Sequence, residues 1–183
     1  MKPFFWIHIK KAAGTSMRKA LGEAYPQVDR TNPQPFISLP REYWNDNLNN
    51  FRVPLGEYDY RRALFAKTFL FSDTEWNGFF KFAIIRNPYE RIVSAFEYLL
   101  VRDYRLFPLR VVPKKIAFSR FVQLVPGILA SKSPRHTATH LVPMMSDLSD
   151  EKGYNQMDFC ARLENMEEDI RVISSEIGRE LSF

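Results

Sequence analysis

Lys11, Gly14, Thr15 and Ser16 fall in one short stretch and together supply what an anionic group needs. The glycine lets the backbone approach an oxyanion, and the amides and hydroxyls of Thr15 and Ser16 can donate to phosphate oxygens. The Lys11 ammonium would reach a bridging or transferring oxygen. A second stretch, Arg86-Asn87-Pro88-Tyr89-Glu90, ends eight residues after Arg86 on Ser94, a lone hydroxyl in an otherwise apolar helical run. Arg86 offers a fork of donors suited to phosphate. Each set taken alone also fits a bland role: a basic surface loop before an amphipathic helix, a strand-end ion pair, or a small packing residue.

Strand-then-helix units must position both sets. Residues 4–9 are aromatic and β-branched on both parities, as in a central strand covered on both faces, and Met17, Ala20 and Leu21 then recur at helical spacing until Pro26. Residues 79–85 repeat the pattern of a buried strand. Asn87 follows as an N-cap, Pro88 takes the first helical position and Glu90 completes the start signal, ahead of the stripe Ile92, Phe96, Leu99. A further helix is expected around 119–125, and a third strand around 157–163. Met166, Ile170, Ile173 and Ile177 then form a helix opened by acidic Glu167, Glu168 and Asp169 and stopped by Gly178. Residues 26–60, rich in Pro, Asn and Asp, carry one short helix near 41–48 and are expected to cover one edge of the core. The predicted fold class is α/β, three layers with a central parallel sheet and ligands at the carboxyl ends of the strands.

The chain has 183 residues, enough for one domain, with 45% hydrophobic, 26% charged and 15% aromatic residues, which excludes disordered and collagen-like classes. Lys and Arg number 26 against 21 Asp and Glu, a net charge of +5 that favours anionic partners without demanding nucleic acid. The residues from 86 to 120 are basic and those from 147 onward acidic. The single cysteine, Cys160, excludes an intrachain disulfide and reads as a buried thiol. No segment is long and apolar enough for a signal peptide or membrane span, so a cytoplasmic location is expected. No set of His, Cys and carboxylates at ligand spacing calls for a metal.

The order of the first motif is not that of a Walker A loop, in which the lysine follows the glycine. The string His8-Ile9-Lys10-Lys11-Ala12-Ala13-Gly14-Thr15-Ser16 instead resembles the 5′-phosphosulfate loop of the PAPS-dependent sulfotransferases, especially the membrane-type carbohydrate branch and its bacterial relatives. It departs at Lys10, where that family usually has proline, and at Ala12 and Ala13. Residues 82–96 are similar to the same family's 3′-phosphate strand and helix, with its arginine and serine at Arg86 and Ser94. Phe159-Cys160-Ala161-Arg162-Leu163-Glu164-Asn165-Met166 is similar to a late Arg-x-Glu-Asn-Leu segment, so the resemblance spans most of the chain.

The resemblance implies a P-loop NTP hydrolase-like sulfotransferase fold in a single domain over 1–183. Relatives usually continue past the last helix, which leaves room for a missing C-terminal segment. It further implies transfer of a sulfuryl group from PAPS to an acceptor hydroxyl or amine, on a carbohydrate or other small molecule, releasing PAP with no metal. Lys11 would be catalytic. Lys11, Ala13, Gly14, Thr15, Ser16, Arg86 and Ser94 would bind the nucleotide. His140, in His140-Leu141-Val142-Pro143, resembles a family segment near the active site and is the candidate base, with Glu57 and Asp59 as carboxylate alternatives, each with a structural role equally open. His8 reads as a satisfied core histidine. The basic, aromatic stretch 102–120 suits an anionic or sugar-rich acceptor. The rival readings are a basic nucleic-acid or protein interaction module and an inactive, sulfotransferase-like nucleotide binder.

Overall fold

The computed structural model describes residues 2–131 and 135–183. In chain order its main elements are β1 (Phe4–Ile7), α1 (Gly14–Leu21), α2 (Trp44–Leu48), α3 (Arg62–Phe65), α4 (Asp73–Gly78), β2 (Phe80–Ile85), α5 (Pro88–Arg102), α6 (Lys114–Ala130), α7 (Arg135–Ala138), α8 (Met144–Leu148), β3 (Phe159–Arg162) and α9 (Met166–Ile177), with a π-helical turn, Ala66–Leu70, between α3 and α4. The chain packs as two compact units, Met1–Ile85 with Pro143–Phe183, and Arg86–Val142.

The first unit holds a parallel sheet in the order β1-β2-β3, with Phe4 opposite Phe80, Ile7 opposite Ala83 and Ile85 opposite Arg162. Phe5, Trp6, Ile7, Phe82, Ala83 and Ile84 are buried, as two-sided strands require, and the helices that flank them in this unit complete the α/β arrangement predicted around a central parallel sheet. Lys81, the charged residue of β2, is satisfied by Asp158 at 2.9 Å and by the carbonyls of Trp76 and Phe79. The stripe Met166, Ile170, Ile173 and Ile177 lies in the same core, and Gly178 ends α9 at φ 67°, a left-handed cap. Cys160 is half-buried rather than buried, since β3 is the other edge of the sheet, and burial still pushes its thiol up.

The outer edge of β1 is closed by side chains instead of a strand. Asn45 Oδ1 accepts from the Trp6 amide at 3.0 Å and Asn45 Nδ2 donates to the Trp6 carbonyl at 2.8 Å. Asn49 Oδ1 accepts from the His8 amide at 2.7 Å, and its Nδ2 donates to the Trp6 carbonyl and to the Tyr25 hydroxyl. The two asparagines, one turn apart at the start of α2 and just past its end, therefore stand in for a neighbouring strand and satisfy buried backbone groups. This is how the Asn-rich segment covers the edge of the core.

In the second unit, Ala95, Phe96 and Leu99 of α5 pack with Leu106, Leu109, Ala117, Phe121 and Leu141. The helix expected around 119–125 is longer, Lys114–Ala130, and continues through Pro126. Asp103 accepts from Arg105 and from the Thr137 hydroxyl, and the Arg105 guanidinium helps hold its carboxyl down to about 2. Much of the basic stretch is engaged inside this unit: Arg110 donates to the carbonyls of Leu100 and Val101, and Lys114 pairs with Glu97 at 2.6 Å.

Candidate active site

The first unit brings Lys11, Ala13, Gly14, Thr15 and Ser16 together in the turn from β1 into α1. Lys11 and Ala13 both have left-handed backbones, φ 64° and 53°, although neither is glycine, and they are the only such residues described. Each costs about 1–2 kcal/mol relative to a relaxed backbone. Two such residues in one loop mark a turn whose shape is imposed by its surroundings. Part of that surrounding is His8, which is 7% exposed, stacks on Trp6 at 5.5 Å and meets the edge of Phe51 at 5.4 Å. A methyl group on Gly14 would collide with the His8 imidazole, so only glycine lets the loop close over this ring.

α1 begins at Gly14, with Ala13 as its cap residue and no side chain capping the first turn. The opening amides of a helix have no intrahelical partner, and here no acidic residue shares that turn. Thr15 and Ser16 are exposed. The amides and hydroxyls of 14–16 are thus chemically suited to an anion. Ala13→Gly should relieve the strain of the cap and raise stability by about 1 kcal/mol in chemical denaturation, with α1 unchanged.

In the second unit, Arg86 directly follows the last residue of β2, is three-quarters buried, and reaches Glu90 at 3.4 Å. Asn87 caps α5 as expected, its Oδ1 accepting from the Tyr89 amide at 2.9 Å, with Pro88 in the first turn. Ser94 is half-buried on α5, four residues after Glu90, and so shares a helix face with it. His140 is only 2% exposed, stacks on Tyr98 at 4.8 Å, and has Nδ1 2.7 Å from the His136 carbonyl, an environment of packing and backbone contact. Of the two carboxylates, Asp59 accepts from the Leu55 amide at 2.8 Å and Glu57 is exposed.

Sequence reasoning missed Lys10 and Arg62. Both cations lie against the Phe51 ring, Lys10 Nζ at 4.1 Å and the Arg62 guanidinium at 3.9 Å from its centroid. Burial, then the charges of Arg30, Arg62, Lys11 and Arg52, push the Lys10 ammonium down to about 8. Only the departure from proline at position 10 hinted at this. Among the described residues no group of three or more His, Cys, Asp or Glu is placed to hold a metal, and no helix is long and apolar enough to cross a membrane.

A parallel sheet whose first strand feeds a basic, strained loop and an uncapped helix start is an α/β arrangement chemically suited to an anion. Residues 2–181 match the model of the Sulfotransferase family, and the chain belongs to that family. No curated protein and no solved structure matches it.

Proposed function

We propose that this sulfotransferase uses PAPS as donor and sulfates a hydroxyl or amine on a carbohydrate or other small acceptor, as a single functional domain over residues 1–183. The observation that carries the reading is the loop 11–16, where a lysine, a glycine that cannot be replaced without moving His8, and the uncapped amides of α1 lie together. Lys11 and the groups of Ala13, Gly14, Thr15 and Ser16 take the 5′-phosphosulfate. Arg86 and Ser94 take the 3′-phosphate, which ATP lacks. No residue of the scheme requires a metal.

The acceptor oxygen or nitrogen forms its bond to sulfur as the bond from sulfur to the bridging oxygen breaks. The electron pair of that bond stays on the 5′-phosphate of PAP, and the acceptor proton passes to a base. Such an in-line transfer depends mainly on positioning and on stabilising charge at the leaving oxygen. The Lys11 ammonium supplies that stabilisation. The carbohydrate branch is supported by the loop string and by residues 82–96, and a cytoplasmic location by the lack of any long apolar run in the sequence. Incubation with PAPS and a panel of sugars should release PAP only when an acceptor is present. Turnover that needs ATP in place of PAPS would reject the reading.

A further inference from the structure

A cavity of about 590 Å³ opens in the first unit, and its wall is made largely of Phe36, Trp44, Tyr58, Phe65 and Phe69 with Glu57. That volume suits a small molecule. No lysine or arginine lines it, so Glu57 is the one formal charge of the wall. Glu57 is exposed and takes part in no ion pair among the described residues. Arg62 and Lys67, on the stretch that carries Phe65 and Phe69, are engaged by Asp147 at 2.9 Å and by Gln156 at 3.3 Å.

Four of the rings form a corner rather than a stack. Phe36 with Phe65, Phe65 with Tyr58, Tyr58 with Phe69 and Phe65 with Phe69 lie 5.2 to 5.9 Å apart at 42° to 81° to one another. Stacked rings would hide each other's faces, whereas inclined rings leave negative faces open to a ligand. The π-helical turn Ala66–Leu70, closed by the Phe71 amide on the Ala66 carbonyl at 3.1 Å, sets Phe69 in this corner, and such turns recur at functional sites. The indole of Trp44 is fixed by donation to the carbonyls of Phe36 and Leu39, which makes the opposite wall rigid.

Ring faces hold cations elsewhere in this unit, Arg62 on Phe51 at 3.9 Å and Arg41 on Trp44 at 5.2 Å, but among the described residues none lies over Phe36, Tyr58, Phe65 or Phe69. The charge of the wall decides what fits. An anion would meet Glu57 and the ring quadrupoles, and a neutral apolar ligand would desolvate the carboxylate without answering it. A cation with an apolar coat satisfies both.

We propose that this cavity binds a small organic ammonium ion, its alkylated head held by the ring faces and by the Glu57 carboxylate. Ile37, 94% exposed at the rim, supplies contact for the apolar body. The site shares no residue with the loop 11–16, and the proposal stands independently of the donor.

The test titrates the full chain, by NMR, with choline and with 3,3-dimethylbutan-1-ol, which has the same shape without the charge. Choline should bind about tenfold more tightly or better. Glu57→Gln and Phe69→Leu should each weaken choline by about threefold or more while leaving the alcohol within about twofold of the parent. Glu57→Gln keeps the size of an exposed side chain, so its result stands even if Phe69→Leu melts earlier. Absence of choline binding, equal affinity for the two ligands, or full preference kept in Glu57→Gln would overturn the site. Vesicles of phosphatidylcholine display the same head group on a surface and should not sediment the chain; if they did, the occupant would be a lipid and the free ion would be rejected.

Discussion

Lys11→Ala should lower sulfuryl transfer by about 10²–10³-fold while leaving PAP affinity within about tenfold of the parent. The lysine is assigned to charge that grows on the bridging oxygen only as the sulfur–oxygen bond breaks, so its loss falls mainly on the transition state. The backbone of position 11 is already left-handed, and alanine bears the same kind of strain there as lysine, as Ala13 shows two residues on. The substitution therefore isolates the ammonium. Arg86→Ala should behave in the opposite way, weakening PAP by tenfold or more through the lost charge-assisted contact to the 3′-phosphate. Full turnover in Lys11→Ala, measured as PAP released per enzyme, would remove the lysine from the mechanism.

Arg62→Met should cost about 3–5 kcal/mol, the largest effect on stability expected of a single side chain here. Arg62 is 1% exposed; its Nη1 donates to Asp147 and to the Asp59 carbonyl, and its Nε to the Leu48 carbonyl. It thus ties α3 to α8 and to the end of α2, the helix whose asparagines close the edge of β1. Methionine fills much of the space but leaves Asp147 charged and buried, at 4% exposure. For a chain of this length the melting temperature should fall by about 10 °C or more. The double variant Arg62→Met/Asp147→Leu should recover part of the loss, because no unpaired charge then remains inside. Additive losses in the two single variants would show that the pair is not the source of the stability.

The strands and helices that carry the proposed nucleotide groups were legible because their signals are local. Alternating-free apolar runs marked β1 and β2, and Asn87-Pro88 placed the start of α5 where it is found. The covering of β1 was not legible in detail, since its hydrogen bonds join Trp6 and His8 to side chains about forty residues away. α4 could have been found: Ser72 and Glu75 form a capping box, a pattern visible in the sequence. The π-helical turn Ala66–Leu70 carries no comparable signal.

At the site the residue types were readable and their strain was not. Nothing local to Lys11 or Ala13 predicts a left-handed backbone, which follows from the packing of the loop around His8. Lys10 looked like a departure from a motif, and its meaning depends on Arg30, Arg52 and Arg62, which lie twenty to fifty residues further along the chain. Cations far apart in the chain thus act together on one ammonium in the first unit.

The most direct test of PAPS dependence is a thermal melt of the purified chain with PAP, ATP and duplex DNA in parallel. PAP at about 100 times its dissociation constant should stabilise the fold by about 2.7 kcal/mol and raise the melting temperature by about 5–10 °C, with little change from ATP or DNA. No shift with PAP, or an equal shift with ATP, would contradict the assignment of Arg86 and Ser94 to a 3′-phosphate and with it the proposed donor.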